Sequence, residues 1–353
     1  MATQKTSLTK KEIFLKLTAD KKPYVRSALA QNPEIDNEIQ NILLKDESGR
    51  VLRGLAMNPS VSKESIDALL KIIKKDSDLG GDIIQGFFDN TNLPKNAIKL
   101  ITGPDYSSSD FMAIQSKALS ASEKQVCLKR MIKKDAYETV LQDTAACDAL
   151  DQKQIEFLLA HEDDDVRAEL GRNPIISEAI QLKLSKDKST TVRKYLASNS
   201  ALSAKLEKLL SKDKEKEVKY SLAQNLRSRS PRAANKNDKV DYAKALKSRD
   251  DKELIRLGLN VNTPPNILEQ LCAKYDPAYD NWVSVALAQN PRISADRVKG
   301  ISKSKNPEVL KALATNPLVT LDILTTLLKN KDYQVRGVVA NPSSYEIPSF
   351  ELW

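Results

Sequence analysis

The chain predicts an all-α fold, an α-solenoid superhelix of about 12 repeats of about 26 residues, and three observations carry that expectation. First, the stretch VRSALAQNP at 25–33 returns as VLRGLAMNP at 51, VRAELGRNP at 166, VSVALAQNP at 283 and VLKALATNP at 309. Weaker copies begin at Val192, Val218 and Ile255, and a shortened one at Val335. Several steps are 26 residues, and self-similarity at ~20–50 residues marks stacked supersecondary units. Second, Val25, Leu29 and Ala30 share one helical face. Asn32-Pro33 then ends that piece, because a proline pushes the preceding residue out of the α region. Third, an N-cap residue type stands eleven residues after the valine: Asp36, Ser62, Asp151, Ser177, Ser203, Ser294 and Thr320. A second amphipathic run follows, such as Ile39, Ile42 and Leu43. Nothing alternates with period two, so no sheet is expected.

A unit this short cannot bury its own apolar face, so neighbours must stack. Residues 1–76 read as an N-terminal cap (a frayed start, then a helix over 12–18) and the regular repeats at 25 and 51. The step from 51 to 83 is longer than the period, so 77–81, with Gly80 and Gly81, reads as an inserted flexible loop. Units at Ile83, Ser109 and Val140 lack the Val-Arg and Asn-Pro landmarks and make 77–150 a degenerate segment. Phe87, Phe88, Phe111 and Met112 add bulk there; they read as core at a bend, with a specialised binding segment as the other reading. Regular repeats resume over 151–342, interrupted by a basic insertion at 226–239. Residues 343–353 break the pattern and read as a C-terminal capping tail, with a docking peptide as the alternative.

The pattern V-R-x-x-L-A-x-N-P followed by a capped helix resembles the leucine-rich repeat variant family, a relative of HEAT-type helical repeats. The resemblance spans nearly the whole chain and rests on the units at 25, 51, 166, 192, 283 and 309. It implies a superhelix that alternates α-helices with short 3-10 pieces. Some members carry an N-terminal cysteine cluster for an iron–sulfur centre; no cysteine here precedes Cys127.

At 41% hydrophobic and only 5% aromatic, the composition suits a thin layered core better than a deep pocket. No apolar run of ~18 residues exists, so no membrane helix is expected. The start lacks the apolar core of a secretory signal. Cys127, Cys147 and Cys272 are far apart and suggest neither a disulfide frame nor a metal motif. The expectation is a cytoplasmic, reduced, monomeric protein without a cofactor. The lone histidine sits in His161-Glu-Asp-Asp-Asp165, which reads as a solvated turn with carboxylates favoured at a helix N-terminus rather than a cation site.

Charge is uneven: residues 76–165 carry 9 basic and 17 acidic groups, whereas residues 166–256 carry 23 and 12. A basic stretch of that kind points to a polyanion. The candidate nucleic-acid-binding residues are Arg227, Arg229, Arg232, Lys236 and Lys239 in the insertion, and Lys212, Lys214, Lys216 and Lys219 just before it. The recurring arginines (26, 167, 193, 256, 336) and asparagines (32, 58, 173, 199, 225, 290, 316) read instead as stacking devices, since a residue repeated at one register serves the repeat. Three functions follow: a scaffold gripping nucleic-acid backbone through 166–256, a protein-interaction scaffold, and, by analogy of architecture, a HEAT-like DNA glycosylase for alkylated bases. The last would want an acid beside aromatics, and Asp276, Tyr279, Asp280 and Trp282 are the clustered candidates.

Overall fold

The computed structural model describes residues 8–132, 136–229, 241–248, 251–274 and 282–345. Among these the regular elements are helices, with no strand. None is long and apolar enough to cross a membrane. Each repeat is an A helix carrying the Val-to-Asn motif and a B helix after the cap residue. Both are α-helical; among the described residues 3-10 geometry occurs only at Pro104–Ser109 and Pro342–Ser344, so the alternating 3-10 pieces implied by the family resemblance are not seen. Of the seven expected N-caps, all but Ser177 accept a bond from the backbone N–H three residues on.

The chain divides into two compact units, Met1–Asn90 with Asp238–Trp353, and Thr91–Asn237. In the first unit the A helices Asp251–Leu259, Trp282–Gln289, Pro307–Ala314, Tyr333–Ala340, Pro23–Gln31, Gly49–Met57 and Ser77–Asp89 stack in that order. The last repeat of the sequence therefore packs on the first. Helix Lys10–Thr18, expected as an end cap, instead has the B helices Asn37–Leu43 and Leu321–Leu327 as neighbours. Thr9 closes a capping box with Glu12, so this helix starts two residues before the expected 12–18. Of the 343–353 tail, Ser343 to Tyr345 are described and 346–353 lie outside the described residues.

Close stacking of A helices needs small residues where they touch. A Cβ on Gly54 would come within 2.7 Å of the Ser27 carbonyl oxygen, and one on Gly86 within 2.5 Å of that of Arg53. The expected loop at 77–81 is helical. The extra length of this repeat goes into B helix Lys63–Lys75, which has 13 residues where Asn37–Leu43 has 7. Asp76 then caps helix Ser77–Asp89 by accepting from the backbone N–H groups of Asp78 and Leu79. Gly80 serves packing, since its Cβ would lie 3.1 Å from the Ile73 carbonyl oxygen. Phe87 and Phe88 are buried in this unit, as core, whereas Phe111, in the other unit, is exposed and Met112 is half-buried, so the core expectation fails for Phe111.

In the second unit the A helices are Asp110–Gln115, Glu138–Ala145, Asp164–Arg172, Thr190–Ala197 and Lys216–Arg229. The degenerate units keep the stacking logic with other residues. Cys147 stands at the asparagine position and its thiol does the asparagine's work, donating to Ile114 O (3.4 Å) and accepting from Ala149 N–H (3.4 Å). Ser116 stands at the same position one unit earlier and accepts from Ala118 N–H.

Two side-chain ladders tie neighbouring repeats. Asn58 donates to the carbonyls of Ala30 and Asn32 (2.8 Å each) and accepts from Ser60 N–H. Asn90, Asn173, Asn199, Asn225, Asn290 and Asn316 also donate to two carbonyls of the preceding repeat. Asn32 donates to Ala340 O (2.7 Å), so the ladder crosses the joint between chain ends. The second ladder is Arg26–Asp46, Arg167–Asp187, Arg193–Asp213 and Arg336–Asp20. Each guanidinium forks onto a carboxylate and also holds a carbonyl of the turn before its own helix.

Candidate nucleic-acid interface

The sequence between B helix Ala204–Leu210 and A helix Lys216–Arg229 is a short turn, Ser211-Lys-Asp-Lys-Glu215. Its centre is pinned. Arg193 Nε donates to Asp213 Oδ2 at 2.7 Å and Nη2 to Oδ1 at 3.3 Å, while Asp213 Oδ1 also accepts from Glu215 N–H. Burial alone would raise the Asp213 carboxyl, but Arg193, the Glu215 N–H and nearby positive charge hold it below the ordinary aspartate value. The acid is thus ionised and spoken for. Lys212 and Lys214, on either side of it, are exposed.

One repeat earlier the arrangement recurs. Arg167 forks onto Asp187 (2.8 and 3.1 Å), and the flanking Lys186 and Lys188 are exposed. Lys186 and Lys212, and likewise Lys188 and Lys214, are one 26-residue period apart, so four lysines occupy matching places on successive turns. Among the described residues the only ion pair any of the four makes is Lys214–Glu215, at 3.9 Å between groups that reach solvent, which is worth little.

Helix Lys216–Arg229 extends this surface. Lys216, Lys219 and Tyr220 are exposed at i, i+3 and i+4, one helix face, and Tyr220 is 67% accessible. Ala223, at the position where Ala30, Ala56 and Ala197 are fully buried, is exposed as well. Lys212, Lys214, Lys216 and Lys219 are thus all exposed, two on the turn and two on the first turns of the helix that follows it.

The structure corrects the expected insertion. Residues 226–229 are helical, because Asn225 is followed by Leu226 instead of proline and the A helix is not stopped. Asn225 keeps its ladder bonds regardless. Arg227 and Arg229 fall on the last turns of this helix; their side chains, and all of Arg232, Lys236 and Lys239, lie outside the described residues.

Sequence reasoning missed Lys186, Lys188 and Tyr220. The signal for the two lysines was present: Lys-Asp-Lys recurs at 186–188 and 212–214, one period apart, around the very acid the arginine ladder uses. The recurring arginines at 26, 167, 193 and 336 are engaged structurally and offer little to a ligand. Arg172, by contrast, lies over the Tyr195 ring at 5.8 Å.

His161 Nδ1 accepts from Asp163 N–H, Asp163 caps the helix at Val166, and the His161 carbonyl binds Arg167. The three cysteines are free and buried, and burial pushes the thiols up, to about 12 for Cys127 and about 11 for Cys272. Asp276, Tyr279 and Asp280 lie outside the described residues, and Trp282 begins an A helix. Compared with models of known protein families and with curated proteins, the chain matches none.

Proposed function

We propose that this chain is a non-catalytic repeat scaffold of the leucine-rich repeat variant type, working in the reducing cytoplasm, that binds nucleic-acid backbone through the lysine edge of its second unit. One observation carries the reading. The acids of the Lys-Asp-Lys turns are consumed by buried arginines, while Lys186, Lys188, Lys212, Lys216 and Lys219 are exposed without an ion pair among the described residues. Cations left over after internal pairing are those available to phosphates, and neutralising phosphates releases counterions whatever the base sequence. Tyr220 beside Lys216 and Lys219 offers a ring on which an unstacked base can lie, which favours single strands over duplex.

Fluorescence anisotropy with a labelled single-stranded oligonucleotide and its duplex, at about 50 mM salt, tests this. The reading expects binding of both at micromolar or tighter affinity, with little sequence preference and the single strand favoured. No change in anisotropy with either strand form would remove it.

A second reading has its own support. Phe111, Val126 and Tyr137, in the acidic degenerate segment, are exposed large apolar residues, as a protein-docking surface would present. A protein scaffold without nucleic-acid affinity is the account left standing by a silent anisotropy experiment.

A further inference from the structure

Where the two chain ends meet in the first unit there is a cleft of about 440 Å³. Lys16 and Lys21 line it from the N-terminal side and Lys329 from the C-terminal side. Its one lining carboxylate, Asp20, is bound by the fork of Arg336 and by Lys22 N–H. Arg336 and Asp20 cancel, which leaves three exposed ammonium groups with no ion pair among the described residues. On the helix of Lys16, the nearby Glu12 accepts from Thr9 and is also the carboxylate whose charge Lys16 feels, so Lys16 is partly answered within its own helix. The full set of three is not repeated at the other arginine–aspartate joints: the places of Lys16, Lys21 and Lys329 hold Ile42, Glu47 and Ala19 at Arg26–Asp46, Lys183, Lys188 and Ala160 at Arg167–Asp187, and Leu209, Lys214 and Lys186 at Arg193–Asp213. Stacking therefore does not need lysines there, and gathering three like charges costs stability unless an anion answers them.

We propose that this cleft binds a small anion carrying a diphosphate group, held between the two chain ends. A single phosphate brings at most about two negative charges, too few for three ammonium groups. A cleft of this size takes a small molecule, and three compact ammonium donors suit phosphate oxygens. The bound anion ties Lys16 and Lys21 to Lys329 and so reinforces the Arg336–Asp20 joint.

The test is isothermal titration of the full chain with inorganic pyrophosphate and, separately, with ADP at matched ionic strength, for wild type and for Lys21→Gln/Lys329→Gln, with thermal melts alongside. Wild type should bind saturably and melt higher with ligand. The double variant, whose exposed substitutions leave the joint intact, should fold normally and bind about tenfold more weakly. Equal affinity for pyrophosphate and ADP supports recognition of the diphosphate alone; tighter ADP supports a nucleoside diphosphate. No saturable binding of either, or equal binding by the variant, overturns the proposal. Oligonucleotide affinity of the same variant should match wild type, because the lysine edge is in the other unit. A parallel loss of it would overturn the separate site.

Discussion

Arg336 and Asp20, 316 residues apart in the chain, form the same fork that Arg26 forms with Asp46 twenty residues on. The likeness extends to the backbone: Arg26 donates to the Asp20 carbonyl just as Arg193 donates to that of Asp187. The joint between the chain ends is an ordinary repeat joint without a peptide linking it. Asp20→Asn should therefore cost the first unit about 2–3 kcal/mol, less than the ~3–5 of a fully buried pair because both groups keep some exposure. Urea unfolding of single and double variants checks this, and the Asp20→Asn/Arg336→Gln cycle should show coupling above about 0.5 kcal/mol.

Acid should loosen the arginine ladder. At Asp20, Asp187 and Asp213 burial opposes ionisation, but the partner arginine and a backbone N–H outweigh it and leave each carboxyl below its ordinary value. A depressed folded pKa gives stability that is complete above the unfolded pKa and is lost as pH falls through the folded one. Urea midpoints should thus hold from neutral pH to about pH 4–5 and drop below it. Asp20→Asn should flatten part of that drop.

The asparagine ladder should be costlier per residue than an ordinary surface bond. Asn58→Ala takes the side-chain donor from the buried carbonyl of Ala30, leaves that of Asn32 with the Ile35 N–H alone, and strips the Ser60 N–H of its acceptor. A loss of about 2–4 kcal/mol in denaturant unfolding is expected. Leu29→Ala and Leu313→Ala, at fully buried positions, should cost roughly 2–5 kcal/mol by loss of core volume.

How much of this was legible follows from what repetition records. A residue that recurs at one register exposes its role, so both ladders could be read as stacking devices before their bonds were known. The joint between chain ends was hidden, because a period fixes how one repeat sits on the next and says nothing of whether the last reaches the first. The extended helix at 226–229 followed from one missing proline at Leu226. The lysine edge was half seen, by charge count at Lys212 and Lys214, and half missed at Lys186 and Lys188, which stand one repeat away from the lysine-rich run before the insertion.

The unit at 109 was faint for a specific reason: its ion pair is reversed. Asp110 stands where the arginine is expected, and Arg130, twenty residues on, forks back onto it at 2.8 and 2.5 Å while donating to Thr102 O. Asp110→Arg alone sets two cations together and should destabilise the second unit by about 3 kcal/mol or more. Adding Arg130→Asp restores the usual polarity and should recover most of the loss. Thermal melts of the two singles and the double decide it; a double no better than its worse single would mean the pair is not interchangeable.

The lysine edge is the claim on which the functional account stands, and the salt dependence of binding tests it most directly. Oligonucleotide affinity would be followed by anisotropy across a salt series for wild type and for Lys212→Ala/Lys214→Ala/Lys216→Ala/Lys219→Ala. All four are exposed, so folding should be untouched. Log affinity against log salt should become shallower by about 0.7–0.9 for each phosphate that is no longer neutralised, with affinity falling for every sequence alike. A wild-type slope that the fourfold variant reproduces unchanged would contradict the account.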